Sequence, residues 1–271
     1  MYLEFYGLNE RPFNMTPDHR FLFFSAQHRE AYLHLLYGIE HRKGFIVLTG
    51  EVGSGKTTLC RAVLSDLKSR KVETALVLNP WLSSTQLLRA ILHDFGIEAS
   101  ARDRLGYVER LNRFLLEKNG EGFNVALLID EAQDLPVEVL EQIRLLSNLE
   151  TDEHKLLQIV LCGQPELEER LLRPELRQLR QRISVRYDLQ PLKVNDVATY
   201  VRYRLQVAGS NGKPTFSAAA IRKVHRYSRG IPRLINAVCD YGLMAGYVAE
   251  TTEIDAACVE RAIEQLEGTS R

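Results

Sequence analysis

Gly50-Glu51-Val52-Gly53-Ser54-Gly55-Lys56-Thr57 has the spacing G-x-x-x-x-G-K-[ST], and each fixed position has a task at a polyphosphate. Backbone N–H groups of such a loop cradle phosphate oxygens, the lysine reaches the β- and γ-phosphates, and the threonine hydroxyl helps hold Mg²⁺. The glycines allow backbone conformations closed to residues with a Cβ. At ordinary residue frequencies the pattern arises by chance in roughly one chain of this length in two hundred. The nucleotide-binding set read from it is Gly50, Glu51, Val52, Gly53, Ser54, Gly55, Lys56, Thr57 and Thr58, with ATP and Mg²⁺ as the implied cofactors.

A second group of residues supplies acid. Val125-Ala126-Leu127-Leu128-Ile129 is an apolar run that ends in Asp130-Glu131. A buried parallel strand delivers its C-terminal residues to the crevice where ligands bind. Asp130 there can hold Mg²⁺ together with Thr57, as the acid of this strand does in other P-loop enzymes. Glu131 is placed to polarise a water for attack on the γ-phosphate, which points to hydrolysis. Two solvated carboxylates at a strand end are the bland alternative.

Chemistry at these positions needs a scaffold that presents them together. Phe45–Thr49 before the loop is short, apolar and β-branched, as a buried parallel strand should be, and Leu59, Ala62, Val63 and Leu67 follow at helical spacing. Strand, loop, helix is the order required, because the helix N-terminus supplies unpaired N–H donors and a positive dipole end. Further strands are predicted at Glu73–Leu78, Asn124–Ile129, Leu156–Cys162 and Ile183–Leu189. Helices are predicted between them at Thr57–Ser69, Ser84–Phe95, Asp103–Lys118, Val137–Leu149 and Pro165–Leu172, with Asp134 as the N-cap of the fourth and Pro136 near its first turn. The alternation predicts an α/β fold, a parallel five-stranded sheet with helices on both faces. After about Pro191 the strands stop, and Asn195–Ala208, Ser217–Ser228, Pro232–Ala249 and Asp255–Glu267 read as helices. The predicted division is a nucleotide-binding α/β domain over 1–190 and a small all-helical lid over 191–271.

Composition narrows the class. Among 271 residues, 35 Lys and Arg balance 35 Asp and Glu, so no global field favours nucleic acid or an anionic membrane. Cys60, Cys162, Cys239 and Cys258 form no C-x-x-C pair and read as buried, reduced thiols of a cytosolic protein. The seven histidines show no H-x-x-x-H or H-E-x-x-H pairing, which argues against a metal site beyond Mg²⁺. Neither a signal peptide nor a membrane-spanning segment is legible. Tyr32, Leu35, Leu36 and Ile39 have the spacing of a helix's core face.

The motifs together carry a resemblance. Phe5-Tyr6-Gly7-Leu8, Arg11-Pro12-Phe13 and Thr16-Pro17-Asp18 open the chain, and Gly44-Phe45 leads into the phosphate loop. Asp130-Glu131-Ala132-Gln133, Gly163-Gln164-Pro165-Glu166-Leu167 and Gly230-Ile231-Pro232-Arg233 follow. Over nearly the whole length the sequence resembles AAA+ ATPases, and within them the ATPase module of the general secretion pathway protein A (ExeA) group. The phosphate motifs are generic, while the proline-rich start and the Gly-Gln-Pro-Glu-Leu segment are the more specific part. Longer members of that group continue through a membrane helix into a peptidoglycan-binding part, and this sequence stops at Arg271.

The resemblance implies further roles. Gln164 would be a polar sensor that positions water or the γ-phosphate, against the alternative of a turn-forming amide before Pro165. Arg233 would be the second sensor, reaching the γ-phosphate from the lid, against the alternative of an exposed helix arginine. Arg182, immediately before the last strand, would be the arginine finger supplied to a neighbouring subunit, with Arg177 and Arg180 as competitors. Arg11, Pro12 and Phe13 would border the adenine. From Arg170 to Arg186 the arginines read either as a solvated helix facing the next subunit or as a nucleic-acid surface.

Two functions follow from different classes. The favoured one is an oligomerising Mg-dependent ATPase, ring-shaped or not, that does conformational work on a cell-envelope secretion, pilus or polysaccharide-export assembly, in the cytoplasm or at the inner face of its membrane. The alternative is a nucleic-acid-directed ATPase of the transposition-helper or initiator kind. A small-molecule kinase would need an acceptor pocket, and Glu131 with an arginine finger argues against it.

Overall fold

A computed structural model describes residues 2–15, 19–78, 82–98 and 103–268, so the Thr16-Pro17-Asp18 part of the opening signature lies outside the described residues. In chain order the elements are α1 (Tyr2–Tyr6), α2 (Ala26–Glu40), β1 (Phe45–Gly50), α3 (Lys56–Lys68), β2 (Val72–Val77), α4 (Ser84–Asp94), α5 (Arg104–Gly120) and β3 (Asn124–Ile129). Then come α6 (Val137–Leu146), β4 (Gln158–Cys162), α7 (Pro165–Leu171), α8 (Arg177–Arg182) and β5 (Ile183–Leu189). The chain ends with α9 (Val194–Val207), β6 (Thr215–Phe216), α10 (Ala218–Ser228), α11 (Pro232–Val248), β7 (Glu253–Ile254) and α12 (Ala256–Leu266).

These elements form two compact units, each drawn from separate stretches of chain. One holds residues 29–50 and 59–189, the other residues 1–28, 51–58 and 190–271.

The first unit is built on the five-stranded sheet, with strand order β2-β3-β4-β1-β5 and every pairing parallel. The central strands β1, β3 and β4 are covered on both faces and buried throughout, while the outer strands β2 and β5 carry partly exposed polar residues such as Glu73 and Arg186. Val125, Leu127 and Ile129 of β3 enter one core with residues of α4 to α8, while Ala126 and Leu128 enter the other with Leu35, Leu36 and Ile39 of α2 and Leu59, Val63 and Leu67 of α3. Full burial of one such side chain is worth about 1.5–3 kcal/mol, and this unit has dozens to hold its sheet rigid. Tyr32 reaches from α2 to Asp66 of α3 at 2.7 Å. Cys60 and Cys162 are buried here, as Cys239 and Cys258 are in the second unit.

Helix starts follow local chemistry. Ser83 caps α4 in a capping box with Gln86, and Asp103 caps α5. Asp134 does not cap α6. The backbone takes a 3-10 turn over Ala132–Asp134, and Pro136 occupies the cap position with no side-chain bond. The Asp134 carboxylate accepts from Gln133 Nε2 instead, at 3.1 Å.

In the second unit α9 to α12 and α1 surround one core, with Phe13 packed edge-on against Phe216. Phe13 is therefore core, whatever borders the nucleotide. The expectation that strands stop after Pro191 is corrected by β6 and β7, which pair in parallel through Thr215↔Glu253 and Phe216↔Ile254. Two loops that lead into α10 and α12 satisfy their backbone groups on each other, a pairing too short to leave a periodic signal. Among the described residues no helix is long and apolar enough to cross a membrane.

Candidate nucleotide site

The phosphate loop belongs with the second unit. Gly50 ends β1, and α3 begins at Lys56, so the loop residues 51–55 open directly onto a helix N-terminus. Ser54 N–H donates to the Glu51 carbonyl at 3.1 Å, closing the turn. Lys56 Nζ donates to the same carbonyl at 2.9 Å, so the ammonium is drawn into its own loop. Gly53 and Gly55 have φ of +78° and +101°, where a side chain is strained.

Two other parts of the unit touch the loop. Arg233, second residue of α11 after Pro232, donates its N–H to the Gly53 carbonyl at 3.2 Å. A Cβ on Gly53 would fall 2.5 Å from the Arg233 Cβ, so glycine is needed there for space as well as for φ. Residue Arg233 is exposed. On another side His28 Nε2 meets the Ser54 carbonyl at 3.1 Å. Ser54 Oγ is buried with no hydrogen-bond partner among the described residues. A loop with a helix N-terminus, a captive lysine and an unsatisfied buried hydroxyl fits a polyphosphate.

The acid pair lies in the sheet unit, at the carboxyl edge where β1 also ends. Asp130 is buried and its Oδ1 accepts the N–H of Glu131 at 3.0 Å. Glu131 sits in the left-handed region at φ +52°, unusual for a residue with a long side chain. Its carboxylate is held there: Oε2 accepts from Gln133 Nε2 at 2.9 Å and from Gln164 Nε2 at 3.2 Å. Gln133 uses its other end too, with Oε1 accepting the Gln164 N–H at 3.0 Å. A Cβ on Gly163 would lie 3.0 Å from that oxygen, so the glycine before Gln164 leaves room for the amide. Arg170 of α7 donates to the carbonyls of Gln133 and Leu135 and ties down the same turn.

Gln164 thus stands beside Glu131, and it is the N-cap residue of α7. The sequence reading gave no role to Gln133 or His28. A Gln two residues after an acid was the only signal for the first; nothing flagged the second, since His28 pairs with no other ligand type.

Arg182 stands elsewhere. It ends α8 and immediately precedes β5, at the amino edge of the sheet, where its guanidinium donates to Ser147 Oγ. Arg177 is exposed and Arg180 half-buried on the same short helix. Among the described residues no cluster of three or more His, Cys, Asp or Glu could hold a metal ion by itself.

A glycine loop leaving β1, an acid pair leaving β3, and β4 inserted between those strands define a P-loop protein of the AAA+ fold. Residues 39–171 match the AAA domain family. The chain is 48% identical over 255 residues to the general secretion pathway protein A of Aeromonas hydrophila, a match covering 94% of this chain and 46% of that protein. It belongs to the AAA ATPases of that type, and it spans about half the length of the relative. Solved structures agree on the fold. The Aeropyrum pernix ORC2 protein in its ADPNP–ADP complexes has a TM-score of 0.69 at 15% identity, covering 97% of this chain and 73% of that one. Cdc6p from Pyrobaculum aerophilum has a TM-score of 0.69 at 16% identity, covering 94% and 70%. The Thermotoga maritima RuvB Holliday junction branch migration motor has a TM-score of 0.60 at 18% identity, covering 90% and 70%.

Proposed function

We propose that this chain is a Mg-dependent ATPase that works as a homo-oligomer and drives conformational change in a cell-envelope secretion, pilus or polysaccharide-export assembly. The observation that carries the hydrolytic part is the Glu131 carboxylate, fixed by two amides at the strand end next to Asp130. The resemblance to a secretion-pathway protein supports the cellular role.

In this reading the loop N–H groups and Lys56 bind the phosphates, and Thr57 and Asp130 hold Mg²⁺, which when bound offsets charge on the phosphate oxygens. Glu131 orients a water and accepts its proton. Gln164 donates to that carboxylate and to whatever oxygen lies beside it. Arg233, anchored at Gly53, extends its guanidinium from the lid. Arg182 serves the neighbouring subunit's nucleotide, where a cation stabilises charge that develops in the transition state. The proposed domain division is an α/β part over 1–190 and a lid over 191–271, with residues 1–28 and the loop 51–58 of the first part belonging to the same compact unit as the lid.

The test is steady-state phosphate release by purified protein with Mg²⁺ and ATP, beside the Glu131→Gln variant. Turnover should fall by ~10²–10⁴-fold in the variant while nucleotide affinity holds, since the amide cannot accept a proton. Wild-type turnover in Glu131→Gln would end the assignment. The nucleic-acid-directed alternative is tested by gel shift across a salt series, because phosphate contacts weaken steeply with salt.

A further inference from the structure

His28 is a buried histidine, 4% exposed, for which the ATPase reading has no use. Ser25 precedes α2, and its Oγ accepts the His28 backbone N–H at 3.2 Å, as a helix N-cap does. The same hydroxyl lies 2.7 Å from the ring's Nδ1, and Nε2 lies 3.1 Å from the Ser54 carbonyl. A carbonyl only accepts, so Nε2 carries the proton; Nδ1 is then bare and takes the Ser25 hydroxyl hydrogen. Every polar atom of a neutral imidazole is satisfied. Burial depresses its pKa below the ordinary value and outweighs the opposing pull of the Ser54 carbonyl and of Asp196 on α9.

We infer that His28 is a positioning residue that aims the Gly55 N–H at the phosphate chain of the bound nucleotide. The Ser54 carbonyl and the Gly55 N–H belong to one planar trans peptide and point in opposite directions. Fixing the carbonyl against His28 turns the N–H away from the ring, toward the inside of the loop. Without an anchor this peptide is free to flip, because Gly55 tolerates either sign of φ. A flip would replace a donor by a carbonyl oxygen at a site for anions. Gly55 also leaves the ring its place, since a Cβ there would come 3.3 Å from Nε2. The inference rests on the loop binding nucleotide, as proposed above.

The experiment compares wild type, His28→Phe, His28→Gln, His28→Asn and Lys56→Ala for affinity toward a fluorescent ADP analogue. In parallel, the Gly55 amide is followed by NMR of ¹⁵N-labelled protein at saturating ADP. His28→Phe keeps the ring volume and removes the donor, so affinity should fall about tenfold, with the downfield Gly55 amide shift lost in the bound state. His28→Gln places an amide N–H at the reach of Nε2 and should recover most of both. His28→Asn is too short to reach the Ser54 carbonyl and should behave as His28→Phe, which keeps the test open if the phenylalanine variant does not fold. A folded His28→Phe or His28→Asn that binds ADP within twofold of wild type, with the Gly55 shift unchanged, overturns the inference. Wild type and Lys56→Ala binding ADP equally would overturn the nucleotide reading itself, an outcome the His28 series cannot produce.

Discussion

Arg182 and Glu131 lie at opposite edges of one sheet. Arg182 immediately precedes Ile183, the first residue of β5, and Glu131 lies two residues beyond Ile129, the last residue of β3, with both strands parallel in the order β2-β3-β4-β1-β5. A strand of six or seven residues at about 3.3 Å each separates them by ~20 Å. An arginine side chain cannot cross that distance, so Arg182 cannot act on the water that its own chain's Glu131 would orient.

Arg182 should therefore act in trans. Arg182→Ala is expected to bind ATP normally and lose turnover, and Glu131→Gln to do the same for a different reason. Mixing the two should restore part of the activity, because some interfaces then pair an intact Glu131 with an intact Arg182. If subunit exchange is shown by a labelled chain and activity does not return, Arg177 or Arg180 takes the role.

Lys56 is the loop's own cation, already turned onto the Glu51 carbonyl. Lys56→Ala should weaken binding of a fluorescent ATP analogue by more than about tenfold, the scale of one charge-assisted contact. Affinity within threefold of wild type would sink the phosphate-loop assignment.

Gln133 holds Glu131 and Gln164 in one arrangement. Gln133→Leu should lower kcat about tenfold, a fraction of the effect of removing the acid itself, with KM for ATP nearly unchanged. A rise in KM at constant kcat would show that the amide serves binding and not the orientation of the acid.

Backbone crowding separates two glycines that share a positive φ. A Cβ on Gly230 would lie 2.1 Å from the Leu192 carbonyl oxygen, whereas one on Gly212 would meet nothing within 4 Å. Gly212→Ala should cost about 1–2 kcal/mol, the left-handed term alone. Gly230→Ala adds a clash with main chain that cannot retreat and should cost ~3 kcal/mol or more, read from urea midpoints.

His28 makes stability depend on pH. Its pKa is lowered in the fold by burial, from an ordinary value of 6.5. The unfolded chain therefore takes up a proton first as pH falls, and the native state is penalised from about that pH down to the lowered folded value. Above it the ring is neutral in both states and contributes no slope. Wild type should lose up to ~1.4 kcal/mol per pH unit more than His28→Gln over that window, measured by denaturant unfolding. Equal slopes would mean that the buried ring ionises as freely as an exposed one.

The sequence by itself determined the elements whose signal is local. The loop from Gly50 to Thr57 announces itself because phosphate binding demands specific residues at adjacent positions. Strands Asn124–Ile129 and Ile183–Leu189 were readable to the residue: the first is an apolar run buried on both faces that ends sharply at Asp130, and the second is an edge strand whose Ile183, Val185, Tyr187 and Leu189 alternate with Ser184, Arg186 and Asp188. Helix boundaries drifted by a residue or two at most ends and by three at the end of α6, where the predicted Val137–Leu149 stops at Leu146. At Asp134 they failed in kind, because a turn that exists to hold Glu131 took the residue first.

Only the tertiary structure decided which side chains meet. Gln133 and Gln164 are 31 residues apart and converge because β3 and β4 are neighbours that end at the same edge. Arg233 reaches Gly53, and His28 reaches Ser54, across long stretches of chain that leave no periodic trace. The same sheet sets Arg182 and Glu131 apart. Adjacency along the chain is written in residue types; adjacency across a sheet or a core depends on how covered faces pack, which no short window of sequence contains.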